Sequence, residues 1–374
     1  MAIVASESFS HWDQNDSTVK WPIIYDSTAI SVSASFGRNG AGARIESGGS
    51  KTGTVAGTNN GSTGAECLCL EKYFSSGSST WSVGFAIKFA DLELGDHFPL
   101  FSLLDTSNIS VWFGTLYTTQ MGIVLDQAQR IRLCRGNPYL DTPNWIGDPS
   151  LPIKRGVFYF VEMDTTIGAS GSARLRIDGK TIIDLTGINT QYTTSSSAEG
   201  VRFFFHKSRI NFGNNVRTYY IDDIYINSGG GSFNDSLVEM SLPTGDGDTI
   251  QWTPSTGVLN FANVDETSPN ENTDYNTASA SGNTDVYTFP SIATTAGSVH
   301  GVVIQGDIFN AVPDVAEVAG AIKEGGSTNV STSQQAGTIT YKMNPFGFAT
   351  NPATGLPWTI AEVNSDQYGL RRTS

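Results

Sequence analysis

Two acidic side chains, Glu162 and Asp164, lie two positions apart in the segment F-Y-F-V-E-M-D. Successive side chains of a β-strand point to opposite faces, so residues two apart share one face. Retaining glycoside hydrolysis uses two carboxyl groups about 5 Å apart, one as the acid and one as the nucleophile. The pair is therefore one half of a possible hydrolytic site, and the structural alternative is a polar pair at the edge of a sheet.

Other acidic and histidine side chains do not complete a metal site. Asp222 and Asp223 are adjacent in one strand and are predicted to point to opposite faces. The T-G-D-G-D-T segment at 244–249 resembles half of a calcium loop but lacks the terminal Glu, so a turn is the better interpretation. The histidines show no zinc-binding spacing: His11, His97, His206 and His300. We therefore predict no catalytic residue, no metal and no cofactor.

Four aromatic residues are candidates for binding a glycan. Tyr139 and Trp145 lie in a proline-rich segment, and Trp112 and Tyr117 flank a transition between strand and loop. Exposed aromatic rings on the loops of a β-sandwich stack on sugars or anchor a protein partner. The structural alternative is that these rings close the ends of the sandwich.

The composition argues against several classes of partner. The 374 residues carry a formal net charge of −14, and only 16% of them are charged. Nucleic-acid binding needs clustered Lys and Arg, so we predict no nucleic-acid partner. No apolar run is long enough to span a bilayer, and the first residues do not resemble a signal peptide. Three cysteines, Cys67, Cys69 and Cys134, form a poor disulfide framework and are predicted to be buried thiols made in a reducing cytoplasm.

The elements that must position these residues are strands. Forty glycines and many Ser and Thr residues accompany short alternating apolar segments, such as W-S-V-G-F-A-I-K-F and Y-Y-I-D-D-I-Y-I. Asp178-Gly179 between two such segments predicts a two-residue hairpin turn with positive φ at both positions. An S-G-G-G-S segment then breaks the chain after Asn227.

Three regions follow from this pattern: a sandwich at 1–228, a glycine-rich linker at 229–237, and a smaller mostly-β domain at 238–374. In the last region we predict strands at 285–289 and 299–305 and a hairpin formed by 315–323 and 338–342. A short C-terminal helix is predicted to begin after the capping residue Thr359, with Glu362 in its first turn, and to stop at Gly369.

Residues 7–227 resemble the concanavalin A-like (laminin-G-type) jelly roll. The segments that carry this resemblance are S-F-S-H-W-D, W-S-V-G-F-A-I-K-F, L-R-I-D-G-K and Y-Y-I-D-D-I-Y-I. Residues 238–369 resemble the C-terminal half of bacteriophage virion proteins, on L-P-T-G-D-G-D and N-P-A-T-G-x-P-W-T-x-x-E-V. Glycoside hydrolases of this jelly roll carry E-x-D-x-E or E-x-D-x-x-E. Here Thr166 and Ile167 stand at the second Glu position.

The resemblance implies an all-β protein that is a non-enzymatic structural component of a phage particle. It would be a tail-fibre or tail-tip adhesin or a capsid decoration protein, located in the virion, with other virion proteins as partners. We expect a homo-oligomer, docking through residues 238–374, with a host surface glycan as a further ligand. The alternative is a glycoside hydrolase or depolymerase acting on host surface polysaccharide.

Overall fold

The computed structural model describes residues 2–7, 23–24, 30–33, 35–38, 42–47, 69–90, 92, 97–110, 116–136, 144–204, 217–266, 270, 272–310, 316–332, 334–335 and 341–374. The protein is all-β, and its larger part is a jelly-roll sandwich. The chain divides into two compact units. One comprises residues 21–237, and the other comprises residues 1–20 together with 238–374.

The unit at 21–237 consists of two antiparallel sheets. Sheet A has the strand order β13 (Lys180–Ile188), β12 (Gly171–Ile177), β11 (Phe158–Thr166), β6 (Thr80–Phe89), β15 (Arg217–Ser228), β4 (Gly42–Ser47) and β3 (Ile30–Ser33). Sheet B has the order β10 (Asn144–Ile146), β9 (Ile131–Arg135), β8 (Leu116–Leu125), β7 (Phe98–Ser110), β14 (Ala198–Phe204), β5 (Cys69–Ser78) and β2 (Ile23–Ile24).

The core of this unit lies between the two sheets. Phe85 of sheet A meets Phe101 and Phe203 of sheet B, with ring centroids 5.1–6.4 Å apart among the three. All three rings are buried. Because side chains alternate along a strand, the residues between these core positions project from the outer face of each sheet.

The predicted turn at Asp178-Gly179 is confirmed. Asp178 has φ of 50° and Gly179 has φ of 72°, as a two-residue hairpin turn of this type requires. The turn joins β12 to β13, and Ile177 pairs with Lys180. The Asp178 carboxylate also accepts a hydrogen bond of 2.7 Å from the Phe160 amide, which ties the hairpin to β11.

The second unit contains β1 (Ala2–Glu7) and the strands after residue 238. These are β16 (Gly245–Ile250), β17 (Thr253–Pro254), β18 (Asn276–Thr277), β19 (Thr284–Thr288), β20 (Val302–Ile308), β21 (Glu317–Glu324), β22 (Ser327–Val330), β23 (Gln334–Gln335), β24 (Lys342–Phe348) and β25 (Gln367–Arg372). Its main sheet runs β16-β19-β25-β21-β22, with β23 also on β21. Its apolar core includes Ile322, Phe346 and Trp358.

The predicted C-terminal helix is present as α1 (Ile360–Ser365). Thr359 caps it: its hydroxyl accepts from the Glu362 amide, and the Glu362 carboxylate accepts from the Thr359 amide at 2.7 Å. The predicted stop at Gly369 is wrong, because the helix ends at Ser365 and Gly369 lies in β25. A side chain there would collide with the carbonyl of Asp285 in the neighbouring strand. No helix among the described residues is long and apolar enough to cross a membrane.

Two other segments after residue 228 were the subject of predictions, the hairpin formed by 315–323 and 338–342 and the linker at 229–237. The hairpin partner of β21 is β22, which follows directly after Gly325-Gly326. Of the predicted partner 338–342, residues 338–340 lie outside the described residues, and Lys342 begins β24, which pairs with β20. The local two-glycine turn explains the pairing of β21 with β22, since Gly325 has φ of 55°. The glycine-rich stretch at 229–237 packs on sheet A: the Phe233 ring lies 4.7 Å from the Tyr225 ring.

Candidate functional site

A row of aromatic and cationic side chains crosses the outer face of sheet A. Cross-strand pairing joins Ser31 to Arg44, Arg44 to Tyr220, Tyr220 to Lys88, and Lys88 to Phe158. Directly paired residues on antiparallel strands point to the same side of the sheet. These five side chains therefore form one line over β3, β4, β15, β6 and β11, which we call the sheet A row.

The outward direction of the row follows from the residues beside it. Ile87 and Ile221 pair with each other and are buried in the core, as is Tyr219. Lys88 and Tyr220 are their immediate neighbours in sequence and so occupy the opposite face. Lys88, Tyr220, Arg44 and Phe158 are all partly exposed. The row is therefore accessible to solvent without being fully solvated.

Lys88 occupies the middle of the row between two aromatic rings. Its Nζ atom lies 4.4 Å from the centroid of Phe158 and 4.1 Å from the centroid of Tyr220. Both distances are within the range of a cation–π contact. Burial lowers the pKa of Lys88, and no carboxylate among the described residues is paired with it. The ammonium group is thus held by ring faces rather than by an opposite charge.

The other end of the row continues the alternation. The Phe36 ring lies 5.6 Å from the Tyr220 ring, and the Arg44 guanidinium lies 6.0 Å from the centroid of Phe36. Neighbouring strands lie about 4.8 Å apart, so Arg44 and Lys88 are separated by about 10 Å. Aromatic rings can stack on sugar rings, and Arg and Lys can bind carboxylates. The sheet A row thus combines the two kinds of contact that an acidic glycan needs.

The acidic pair of the sequence analysis lies on the same face of β11 and is bound to an arginine. Arg176 Nη1 lies 2.7 Å from Glu162 Oε1 and 2.9 Å from Asp164 Oδ2. The two carboxyl groups are therefore within about 6 Å of each other, close to the separation of a retaining pair. The Glu162 side chain is 1% exposed and that of Asp164 is 20% exposed. Burial first, and then the charge of Asp164, raises the pKa of Glu162.

The segment at 229–237 covers this acidic pair. The Phe233 amide donates to the Tyr225 hydroxyl at 3.2 Å, and the Tyr225 and Ser232 hydroxyls interact with Glu162. Asn227 Nδ2 donates to the carbonyls of Gly230 and Gly231, which holds the segment at its start. The pair is consequently part of a packed layer and not of an open cleft.

The prediction that Asp222 and Asp223 point to opposite faces is wrong. The pairing of β15 with β6 is irregular between Asp222 and Tyr225, and Asp223 has φ of 50°, which marks a β-bulge. Both carboxylates therefore reach Arg38: its amide donates to Asp222 at 2.9 Å and its Nε to Asp223 at 3.0 Å. Arg38 also donates to the Ser236 carbonyl at 2.5 Å and pairs with Asp235. Burial raises the pKa of Asp222 to about 7.

The outer face of sheet B carries a corresponding row with different contents. Pairing joins Glu71, Arg202, Ser102, Gly122, Cys134 and Trp145 in one line across β5, β14, β7, β8, β9 and β10, which we call the sheet B row. Glu71 and Arg202 form an ion pair, and the Tyr73 hydroxyl also donates to Glu71. All of these row residues except Trp145 are buried. Burial raises the pKa of the Cys134 thiol to about 12.

The candidate glycan-binding aromatics are only partly described. Trp145 lies in the short strand β10, within the proline-rich segment, and its ring is half-buried. The Arg132 guanidinium lies 4.3 Å from its centroid and the His97 ring 5.1 Å away, so its surroundings contain both a cation and an aromatic ring. Tyr139 and Trp112, and the side chain of Tyr117, lie outside the described residues. The role of all four as glycan ligands stays a prediction.

Sequence reasoning missed the sheet A row. Lys88 is a single charge in the apolar strand W-S-V-G-F-A-I-K-F, and this was the available signal. Tyr220 and Phe158 come from strands far away in the chain, so only the register between strands brings them together. Within the described ranges, no group of three or more His, Cys, Asp or Glu side chains is arranged to hold a metal ion.

No family model matches the chain. No curated protein matches it either. Among solved structures, it is similar to an endo-β-1,4-glucuronan lyase from the fungus Trichoderma reesei, with 10% identity, 62% of this chain and 96% of that chain covered, and a TM-score of 0.47. An alginate lyase shares 11% identity over 62% of this chain and 98% of its own, with a TM-score of 0.43. An alginate lyase from Aplysia kurodai shares 13% identity over 61% and 100%, with a TM-score of 0.40.

These comparisons correct the functional expectation. The three solved structures are named as polysaccharide lyases, which contradicts the expectation of a non-enzymatic structural component. At 10–13% identity they transfer no residue role to this chain. The phage resemblance, the virion location, the homo-oligomer and the virion partners stay predictions.

Proposed function

We propose that this chain is a depolymerase that binds an acidic polysaccharide across sheet A and cleaves it by elimination, with Lys88 as the base. The observation that carries the proposal is the position of Lys88 between the Phe158 and Tyr220 rings, on an accessible face, without a described carboxylate partner. The contacts of Lys88 with the two ring faces leave its amine able to interact with a bound substrate as well.

The chemistry requires a base beside a sugar that bears a carboxylate. The neutral amine of Lys88 takes the proton from the ring carbon next to the substrate carboxylate. The electron pair of that C–H bond forms a carbon–carbon double bond, the glycosidic C–O bond breaks, and the leaving oxygen takes a proton from water. Arg44 in the same row supplies a cation for a substrate carboxylate, and Tyr220 and Phe158 supply surfaces for sugar rings.

The lowered pKa of Lys88 suits this role. A general base works best when its pKa lies near the working pH, and enzymes lower the pKa of a lysine by burying it. Burial is the cause that lowers the pKa here. The fraction of neutral amine is therefore larger than for a solvated lysine, and we expect activity to rise with pH as more Lys88 loses its proton.

A second candidate function is hydrolysis by Glu162 and Asp164. The observation in its favour is their approach to within about 6 Å in unlike environments, one buried and one partly exposed. Against it, Arg176 holds both carboxylates, and the segment at 229–237 covers Glu162. Elimination at Lys88 is therefore the first proposal and hydrolysis the second.

The test uses the full chain with polygalacturonate, hyaluronan and the neutral polymer amylose. Product is measured both as new reducing ends and as the ultraviolet absorbance of an unsaturated sugar. We expect both signals from an acidic polymer and neither from amylose. Lys88→Met should lower the rate by about 10²–10⁴-fold, the usual contribution of a general base.

Two further variants complete this test. Lys180→Met, at the exposed hairpin turn of the same sheet, is the matched control and should leave the rate unchanged. Reducing ends without the unsaturated product, lost on Glu162→Gln but kept on Lys88→Met, would establish hydrolysis instead. Absence of cleavage of every acidic polymer would overturn elimination, and absence of cleavage of amylose as well would overturn both candidates.

A further inference from the structure

The loop between β10 and β11 brings further cations to one end of the sheet A row. Phe158 is the last residue of the row, and β12 pairs with β11 only from Val161 onward. The Gly156 amide donates to the carbonyl of Phe89 at 2.8 Å, and Phe89 follows Lys88 directly. The loop therefore passes the end of the row beside Lys88 and Phe158, where no further strand of sheet A lies among the described residues.

This loop is held in place by hydrogen bonds along its length. Ile153 donates to the Gln129 carbonyl at 2.8 Å, and the Lys154 amide donates to the Tyr159 hydroxyl at 2.8 Å. Ser150 donates to the Ile131 carbonyl at 3.0 Å. Gly156 has φ of 76°, a conformation that favours glycine, and so sets the turn before β11. The loop backbone is thus positioned by sheet B on one side and by β6 and β11 on the other.

Two adjacent side chains near the end of this loop are exposed and cationic, and the loop also carries the exposed Asp148. Lys154, Arg155 and Val157 are exposed, and neither Lys154 nor Arg155 forms a salt bridge with any described residue. In a chain with a net charge of −14, a cluster of cations without acidic partners is unusual. Exposed cations without acidic partners can attract anionic ligands.

We propose that Arg155, with Lys154 beside it, is a specificity-determining residue that binds a further carboxylate of the polysaccharide beyond Phe158. This inference rests on the proposed function. Cations would then alternate with aromatic rings in the order Arg44, Tyr220, Lys88, Phe158 and Arg155. The substrate class that fits this order is a polymer that carries carboxylates repeatedly along its length, and a chain with an isolated acidic sugar would fill only one position.

The experiment measures KM and kcat of the full chain on polygalacturonate and on its methyl-esterified form, which lacks most of the charge. Arg155→Gln should raise KM for polygalacturonate about 5- to 10-fold with kcat nearly unchanged, since a bound carboxylate is lost away from the reacting bond. Arg155→Lys should restore most of the affinity. Lys180→Gln, which removes an exposed cation from the edge strand β13, should change nothing.

The outcomes separate this inference from the proposed function. Cleavage of polygalacturonate by the wild type with an unchanged KM in Arg155→Gln would overturn the role of Arg155 alone. An equal rise of KM in Arg155→Gln and Lys180→Gln would also overturn it, because the effect would then be one of net charge. Failure of the wild type to bind or cleave any acidic polymer would overturn the proposed function and, with it, the role of Arg155.

Discussion

The two outer faces of the sandwich each carry a row of cross-strand residues, and the two rows use their cations differently. In the sheet A row, Lys88 lies between two aromatic rings and stays partly exposed. In the sheet B row, Arg202 is 2% exposed and paired with Glu71. A buried charge needs a partner because desolvation costs several kcal/mol, whereas a partly exposed cation on a ring face does not. The position of a cation in a row therefore does not by itself indicate a function. Whether the cation has a carboxylate partner, and how exposed it is, are the informative properties.

The largest difference between the rows should be in stability. Arg202→Met leaves the Glu71 carboxylate buried with its strongest partner removed, which typically costs about 3–5 kcal/mol. Lys88→Met keeps an unbranched side chain between the two rings, where a thioether packs well, and should change the free energy of unfolding by less than about 1 kcal/mol. Urea denaturation of both variants measures the contrast. Similar losses in the two variants would show that the sheet A row is also part of the structural framework.

The second prediction concerns pH and the buried part of sheet A. The pKa of Asp222 is raised from its usual range to about 7, chiefly by burial. The folded state therefore holds this proton more tightly than the unfolded state does, and the resulting stability is lost as the pH rises through about 7. Asp222→Asn keeps an acceptor for the Arg38 amide and removes the ionisation. The melting temperature of Asp222→Asn minus that of the wild type should be larger at pH 8 than at pH 5.

Asp184→Asn is the matched control for this pH dependence. Asp184 pairs with Arg174 at 3.0 Å, and both side chains are at least 40% exposed. Exposed ion pairs contribute little, so its melting temperature relative to wild type should hardly vary between pH 5 and pH 8. A flat profile for Asp222→Asn would mean that Arg38 keeps Asp222 ionised throughout.

The smallest expected effect is on glycan binding, and it tests which of the two rows binds the polymer. Tyr220→Ala removes one ring beside Lys88 and should weaken binding of polygalacturonate by about 1 kcal/mol, roughly fivefold. Trp145→Ala, in the sheet B row, should have less effect than Tyr220→Ala. Affinity electrophoresis in gels containing the polymer provides the measurement. A larger effect of Trp145→Ala would move the glycan-binding face to sheet B and support the aromatic ligands predicted from sequence.

Local signals predicted the elements well. Asp178-Gly179 specified a hairpin because the two residues themselves tolerate positive φ, and Thr359 with Glu362 specified the start of α1 because the cap involves only neighbours in sequence. The stop at Gly369 could not be foreseen. That glycine is needed where β25 passes the carbonyl of Asp285 in β19, which is a contact between distant parts of the chain.

The functional site was less predictable than the elements. Glu162 and Asp164 were found from their spacing, but their pairing with Arg176 and their cover at 229–237 depend on other segments. The bulge at Asp223 reversed the expected direction of one carboxylate, and a bulge has no distinct sequence pattern in Y-I-D-D-I-Y.

The sequence by itself determined that this chain is all-β, where its tight turns lie, and that its surface is acidic, because alternation, turn residues and charge are properties of neighbouring positions. Only the tertiary structure decided which side chains meet. Lys88 and Phe158 are 70 positions apart, and Tyr220 comes from a third strand still further along the chain. A shift of one residue in any of these pairings would turn a side chain of the row into the core. The site is therefore a consequence of strand register, which the packing of the whole sandwich sets.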